Sequence, residues 1–177
     1  MTDPLRPGWL SRVLGGFTKP IKHDPVTATE SPAPLTRGRI AGYLDSRSYR
    51  YVVDDDGDLT GTWDGSRFWF LLLGDDEEIL QVRGRWHRSL PLDRRSAAAL
   101  AVNDWNRERI WPKVYVREED GLLALYSEVS TDLERGVTDG QLAQLVACGL
   151  GTGVQMFSAF DEILPHDDSP PPGTPNN

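Results

Sequence analysis

Few residues have the types and spacing that chemistry requires. Asp54, Asp55, Asp56 and Asp58 surround Gly57, and clustered carboxylates are the ligands that hard cations such as calcium take. The register defeats a calcium loop. With Gly57 as the loop's glycine, Val52 stands at the first ligand position and Trp63 at the last, where a bidentate Glu is required. A solvated hairpin turn accounts for the cluster. Gly149-Leu-Gly-Thr-Gly153 has the look of a phosphate cradle, but such a loop follows a strand, opens a helix and ends in a further glycine or Gly-Lys-Ser/Thr. These glycines sit inside a helical apolar pattern, where they are expected to let another backbone approach. His23, His87 and His166 are scattered, and no Gly-x-Ser-x-Gly elbow is present. Cys148, beside Val146 and Ala147, reads as a small buried thiol. As the single cysteine it excludes an internal disulfide framework and a cysteine-rich zinc site. No catalytic residue, metal or other cofactor is expected, and the chain reads as a non-enzyme.

The aromatic residues are more informative. Trp63, Phe68, Trp69, Phe70, Trp86, Trp105 and Trp111 exceed what one face of a small sheet can hide. A Trp-rich core accounts for most of them, and the remainder are expected to line a groove or an interface. Trp69, Trp86, Trp105 and Trp111 are the candidate binding residues. A second reading places a small-ligand or enzyme pocket near Trp69, Trp86 and Trp111, with Asp64 or Glu128 supplying polarity. Stacking on single-stranded nucleic acid also needs a basic track, and the formal net charge of -8 argues against a nucleic-acid partner.

The elements that must position these residues occupy the middle of 177 residues. Residues 23–34, with three prolines, have a linker's composition, and the Pro-rich, acidic stretch from 166 to 177 reads as a disordered tail. Residues 1–34 therefore form a basic segment and linker, and 35–165 a single domain. Almost all of the negative charge falls in that domain, so its partners are expected to be basic, neutral or apolar. Trp9, Leu10, Val13, Leu14 and Phe17 recur at helical spacing among basic residues. That stretch, 8–17, suits docking on the protein's own core, docking on a partner, or weak membrane-surface contact. Arg12 interrupts it, so it does not read as a signal peptide. The longest apolar run, Phe68 to Leu73, is strand-sized, so no integral membrane association is expected, and the location expected is cytoplasmic.

Within the domain, Leu35 to Tyr49 reads as a helix opened near Thr36, and Tyr49–Val53 as a strand before an Asp-Gly turn. Leu59–Trp63 and Arg67–Leu73 follow, the latter suited to a strand covered on both faces. Ile79–Trp86 alternates, with Leu80, Val82 and Trp86 on one side and Arg83 and Arg85 on the other. Asp93 is the expected cap of a helix over 94–108. A hairpin turns at Glu119-Asp-Gly121, and Thr138 caps a long final helix. The order α-βββ-α-ββ-α implies an α+β fold, a mostly antiparallel sheet with three flanking helices.

Val102-Asn-Asp-Trp105-Asn106, followed by Ile110-Trp111-Pro112-Lys113-Val-Tyr115, resembles the YbjN domain family. The Trp63-Asp64-Gly65 turn, the strand Leu80-Gln81-Val82-Arg83 and the helix start Gly136-Val137-Thr138 fit the same pattern, which covers about residues 35–164. The resemblance implies a fold similar to the type III secretion chaperones, small acidic proteins that commonly dimerise and bind extended segments of client proteins. It implies no catalytic residues. A chaperone-like or regulatory protein that binds an extended segment is the expected function. A homodimer is expected through the Ala-rich helix around Ala97, Ala101 and Trp105, with the glycine face of the last helix as a second candidate surface.

Overall fold

The computed structural model describes residues 31–164. The segment 8–17, most of the linker and the tail from 166 onward lie outside the described residues. The domain begins slightly earlier than its composition suggests. Ala33 exchanges backbone hydrogen bonds with Val137 at 3.2 and 2.9 Å, and Arg39 donates to the carbonyls of Ala33 and Pro34.

Helix α1 (Arg37–Ser46) starts where expected, with Thr36 Oγ1 accepting from the Arg39 N–H, and it buries Ile40 and Leu44. Six strands follow in two groups: β1 (Val52–Val53), β2 (Leu59–Trp63), β3 (Ser66–Leu73) and β4 (Ile79–Pro91), then β5 (Lys113–Glu119) and β6 (Leu122–Asp132). Between the groups lies α2 (Arg95–Glu108), and α3 (Asp139–Ile163) closes the domain. The turns Asp64-Gly65 and Asp120-Gly121 each hold two successive residues at positive φ. That backbone matches strand twist in a two-residue hairpin, and Asp-Gly is a sequence that adopts it readily. α3 begins with a full capping box between Thr138 and Gln141. α2 instead enters through a 3-10 turn over Leu92–Arg94, and no side chain caps it, so Asp93 does not serve as the N-cap.

The sheet order is β1-β2-β3-β4-β6-β5, every pair antiparallel. α2 carries the chain from β4 to the far edge, and β6 folds back between β5 and β4. All three helices cover one face. α3 packs on β3, β4 and β6, α2 on β5, and α1 on α3. The core between the layers holds Phe68, Phe70, Leu80, Val82, Trp86, Leu123, Leu125, Val146, Met156, Phe157 and Phe160. Among the described residues, β3 is therefore covered by helices on one face only. Phe68, Phe70 and Leu72 point into the core, while Arg67, Trp69, Leu71 and Leu73 share the opposite face.

Two glycines of α3 set how closely it seats. A Cβ on Gly153 would lie 2.6 Å from the Phe68 ring, and one on Gly149 would lie 2.7 Å from Val82 Cβ. They face side chains of the sheet rather than another backbone, and, enclosed there, they cannot form a dimer surface. Gly151 meets nothing within 4 Å. With 25 residues and a mean hydropathy of 1.3 in its most apolar window, α3 reaches the length and composition of a membrane-crossing helix. No single apolar run disclosed this, because the hydropathy is spread over small residues. Here its apolar side lies in the core.

Candidate functional site

The face without helices carries a polar and aromatic ladder. Strand alternation aims Arg67 and Trp69 of β3, Gln81, Arg83 and Arg85 of β4, Tyr126 and Glu128 of β6, and Lys113, Tyr115, Arg117 and Glu119 of β5 to that side. Register then forms two rows across four strands. One runs Arg67, Arg85, Tyr126, Tyr115, and the next Trp69, Arg83, Glu128, Lys113.

Neighbours within and between the rows are bonded. Glu128 accepts from Tyr115 Oη at 2.6 Å, Arg83 Nε at 3.0 Å and Lys113 Nζ at 3.4 Å. Glu119 accepts from Tyr126 Oη at 2.5 Å and Arg85 Nε at 3.1 Å. The Tyr115 and Tyr126 rings stack at 5.3 Å, only 9° from parallel. The Arg67 guanidinium lies over the Trp69 ring, 4.9 Å from its centroid, while its Nε donates to Thr60 Oγ1.

Burial alone would raise the Glu128 pKa, but the Tyr115 hydrogen bond and the charges of Arg83 and Lys113 outweigh it and hold the carboxyl below its ordinary range. The Tyr126 hydrogen bond does the same for Glu119, against a smaller opposing effect of burial. Burial and the adjacent carboxylates push both tyrosines up. Both acids are therefore held as carboxylates, and both oxygens of each already accept from a neighbouring side chain. A general acid or base needs a pKa near the working pH and a free reach to substrate, and neither group offers both. Among the described residues, no group of three or more His, Cys, Asp or Glu could hold a metal ion. In the aspartate-rich turn, the Asp54 carboxylate accepts from the N–H groups of Asp56 and Asp58, closing the turn on itself.

The four candidate tryptophans do not converge. Trp69 lies half-buried on the open face. Trp86 is fully buried on the covered face, and Trp105 is buried against Phe160 with the Arg109 guanidinium over its ring. Trp86 and Trp105 are core residues, so a pocket uniting Trp69, Trp86 and Trp111 does not form. Trp63 also serves the core, meeting Tyr49, Phe68 and Phe70 edge-on. Trp111 is 53% exposed and lines a separate groove of about 350 Å³ with Val129, Leu133, Val137, Leu145 and Cys148. Burial raises the Cys148 pKa, in keeping with an unreactive thiol. On α2, Ala97 is exposed and Ala101 half-buried, but Trp105 turns inward and cannot belong to a dimer surface.

The motif residues have structural work at the corner between α2 and β5. Asn106 donates from Nδ2 to the Val114 carbonyl at 2.8 Å and accepts the Val114 N–H at 2.9 Å through Oδ1, in the manner of a neighbouring strand. Lys113, after the Trp-Pro pair, reaches Glu128. The model of the YbjN family, described as "Putative bacterial sensory transduction regulator", matches residues 36–162. The chain belongs to the YbjN family. The crystal structure of YbjN, "a putative transcription regulator from E. coli", shares the fold with a TM-score of 0.65 at 15% identity, over 75% of this chain and 95% of that one. Two more solved structures are more distant. A chain of the HopA1–SchA chaperone–effector complex gives a TM-score of 0.44 at 18% identity, over 73% of this chain and 99% of its own. An uncharacterized protein from Methanothermobacter thermautotrophicus gives 0.48 at 12%, over 72% and 98%. No curated protein matches the sequence.

Outside the YbjN motif, sequence reading missed the ladder partners Tyr115, Tyr126, Arg67 and Glu119. Their signal was present as period-two alternation in Lys113-x-Tyr115-x-Arg117-x-Glu119 and Tyr126-x-Glu128. What sequence alone withheld was the strand order, which sets β6 rather than β5 beside β4.

Proposed function

We propose that this YbjN-family chain is a non-enzymatic regulatory protein that binds an extended segment of a partner protein on its open sheet face. One observation carries the reading: a six-stranded sheet with the three helices of the described residues on one side presents Trp69 and Arg67 on the other, beside carboxylates already engaged by their neighbours. Half-exposed aromatic rings and arginines are favoured at protein interfaces. A cytoplasmic location accompanies this reading. The test is crosslinking of tagged full-length chain in its native cells, wild type beside Trp69→Glu. A stoichiometric partner captured by the wild type and lost with Trp69→Glu is expected. Equal capture by both forms would remove the open face from the mechanism.

The groove under Trp111 supports a second reading, a small uncharged ligand held among apolar side chains with Gln141 and Gln144 at hand. A metabolite thermal-shift screen followed by Trp111→Ala tests it. A shift of several degrees that survives in Trp111→Ala would place the ligand elsewhere. We also propose a homodimer through the exposed side of α2, where Ala97 and Leu100 face outward. Light scattering at micromolar concentration is expected to show a dimer that Leu100→Arg dissociates, and a monomer in the wild type would refute it.

A further inference from the structure

We propose that the open face selects an acidic extended segment of its partner, an inference that rests on the protein-binding reading above. The chain is acidic, yet its charge is segregated. Arg67, Arg83, Arg85, Lys113 and Arg117 share the open face with Glu119, Glu128 and, at its end, Asp132. Glu128 is satisfied by three donors and Glu119 by two. No carboxylate in the ladder is left to repel an incoming one. Arg67 meets no carboxylate among the described residues. It is exposed and held flat over Trp69, with Nε donating to Thr60 Oγ1. A planar guanidinium so held is suited to bidentate carboxylate binding. Lys113 and Arg117 supply exposed positive charge at the other end of the ladder.

Eight acidic residues gather instead at one end of the sheet, Asp54, Asp55, Asp56 and Asp58 in the β1–β2 turn and Asp75, Asp76, Glu77 and Glu78 in the β3–β4 turn, while Asp64 alone occupies the β2–β3 turn at the other end. From Trp69 to the end of β3 at Leu73 is four residues of strand, roughly 13 Å at about 3.3 Å each. This exceeds a screening length of roughly 8 Å at physiological salt. A short acidic segment on the face therefore meets the local cations and is screened from the turns. A long polyanion such as nucleic acid would run on into the acidic end. The ladder spans four strands, about 14 Å, which an extended segment of four or five residues crosses.

The experiment measures anisotropy of rhodamine-labelled decapeptides titrated with the full chain at low and at raised salt. One probe alternates Glu with Tyr and Leu. Two others replace every Glu with Gln or with Lys, and a labelled decathymidylate completes the set. The acidic peptide is expected to bind about tenfold more tightly than the Gln peptide and to weaken as salt rises. Arg67→Glu and, separately, Arg117→Glu should each weaken it severalfold, Arg117→Glu with a melting temperature near wild type and Arg67→Glu with one lowered by a few degrees for the lost Trp69 contact. Tighter binding of the Gln or Lys peptide would overturn the acidic preference and leave the protein-binding reading intact. Binding by none of the peptides would overturn both. Decathymidylate binding as tight as the acidic peptide would identify a polyanion site instead. An acidic peptide that binds Arg67→Glu and Arg117→Glu as well as wild type would move the site off this face, and one that dissociates a dimer would make a second copy the occupant.

Discussion

The two faces of the sheet are built from the same six strands and solve opposite problems. The covered face is a fitted apolar surface, with Gly149 and Gly153 of α3 seated against Val82 and Phe68, and Trp86 wholly enclosed. On the open face none of the described helices lies above the sheet, and the face is organised laterally, with Arg83, Arg85, Tyr115 and Tyr126 bonded to Glu128 or Glu119 across the strands. Burial holds the first in place and directional bonds hold the second. A tryptophan therefore means different things on each. Trp86 contributes stability, whereas Trp69 stays half-buried under Arg67 on the face these helices leave uncovered.

The largest effect should come from Trp86→Ala, at about 3–5 kcal/mol in urea unfolding. Trp69→Ala should cost about 1 kcal/mol, chiefly the lost contact with Arg67. Equal losses would abolish the distinction between the faces. Next in size is Gly153→Ala, expected to destabilise by about 2 kcal/mol because the new methyl overpacks the Phe68 ring. Gly151→Ala, in the same helix but pointing at open space, should stabilise by up to about 1 kcal/mol. Glu128→Ala should cost about 1.5 kcal/mol, discounted because Lys113 and part of Arg83 remain hydrated. Glu128→Gln, which keeps an acceptor for Tyr115, should cost less.

The smallest effect is in pH dependence. Glu119 and Glu128 titrate below their ordinary value of 4.5 in the fold. Their contribution is complete above that value and is lost as the pH falls through their lowered pKa values. Tyr115 and Tyr126 titrate above 10.0, so their contribution is complete below that pH and is lost as it rises further. Replacing both tyrosines with Phe should flatten the alkaline limb of a melting-temperature profile. An unchanged limb would show that the ladder contributes nothing there.

The covered face was largely legible in the sequence and the open face was not. Thr36, Thr138, the two Asp-Gly turns and the alternation of Leu80, Val82 and Trp86 are local signals, and each forms as read. Phe68–Leu73 misled because a continuous apolar run resembles a strand buried on both sides, while here the outward Trp69 and Leu71 pack sideways against β4 neighbours in register. The four tryptophans could not be sorted from spacing alone. Trp105 faces inward because of how α2 lies on α3, and that is a tertiary fact. The ladder depends on β6 lying between β4 and β5, a pairing that joins residues such as Arg83 and Glu128, 45 positions apart.

The Asn106 amide on Val114 has a consequence for solution behaviour. A sheet's outermost strand is a template on which further copies of a chain can polymerise. At β5 the first N–H and C=O such a copy would need are already occupied by a side chain of the same molecule. At the opposite border β1 is only two residues long, too short to seed a fibril. Replacing Asn106 with Leu would uncover one docking point for runaway assembly, so this amide is expected to oppose edge-to-edge association at high concentration.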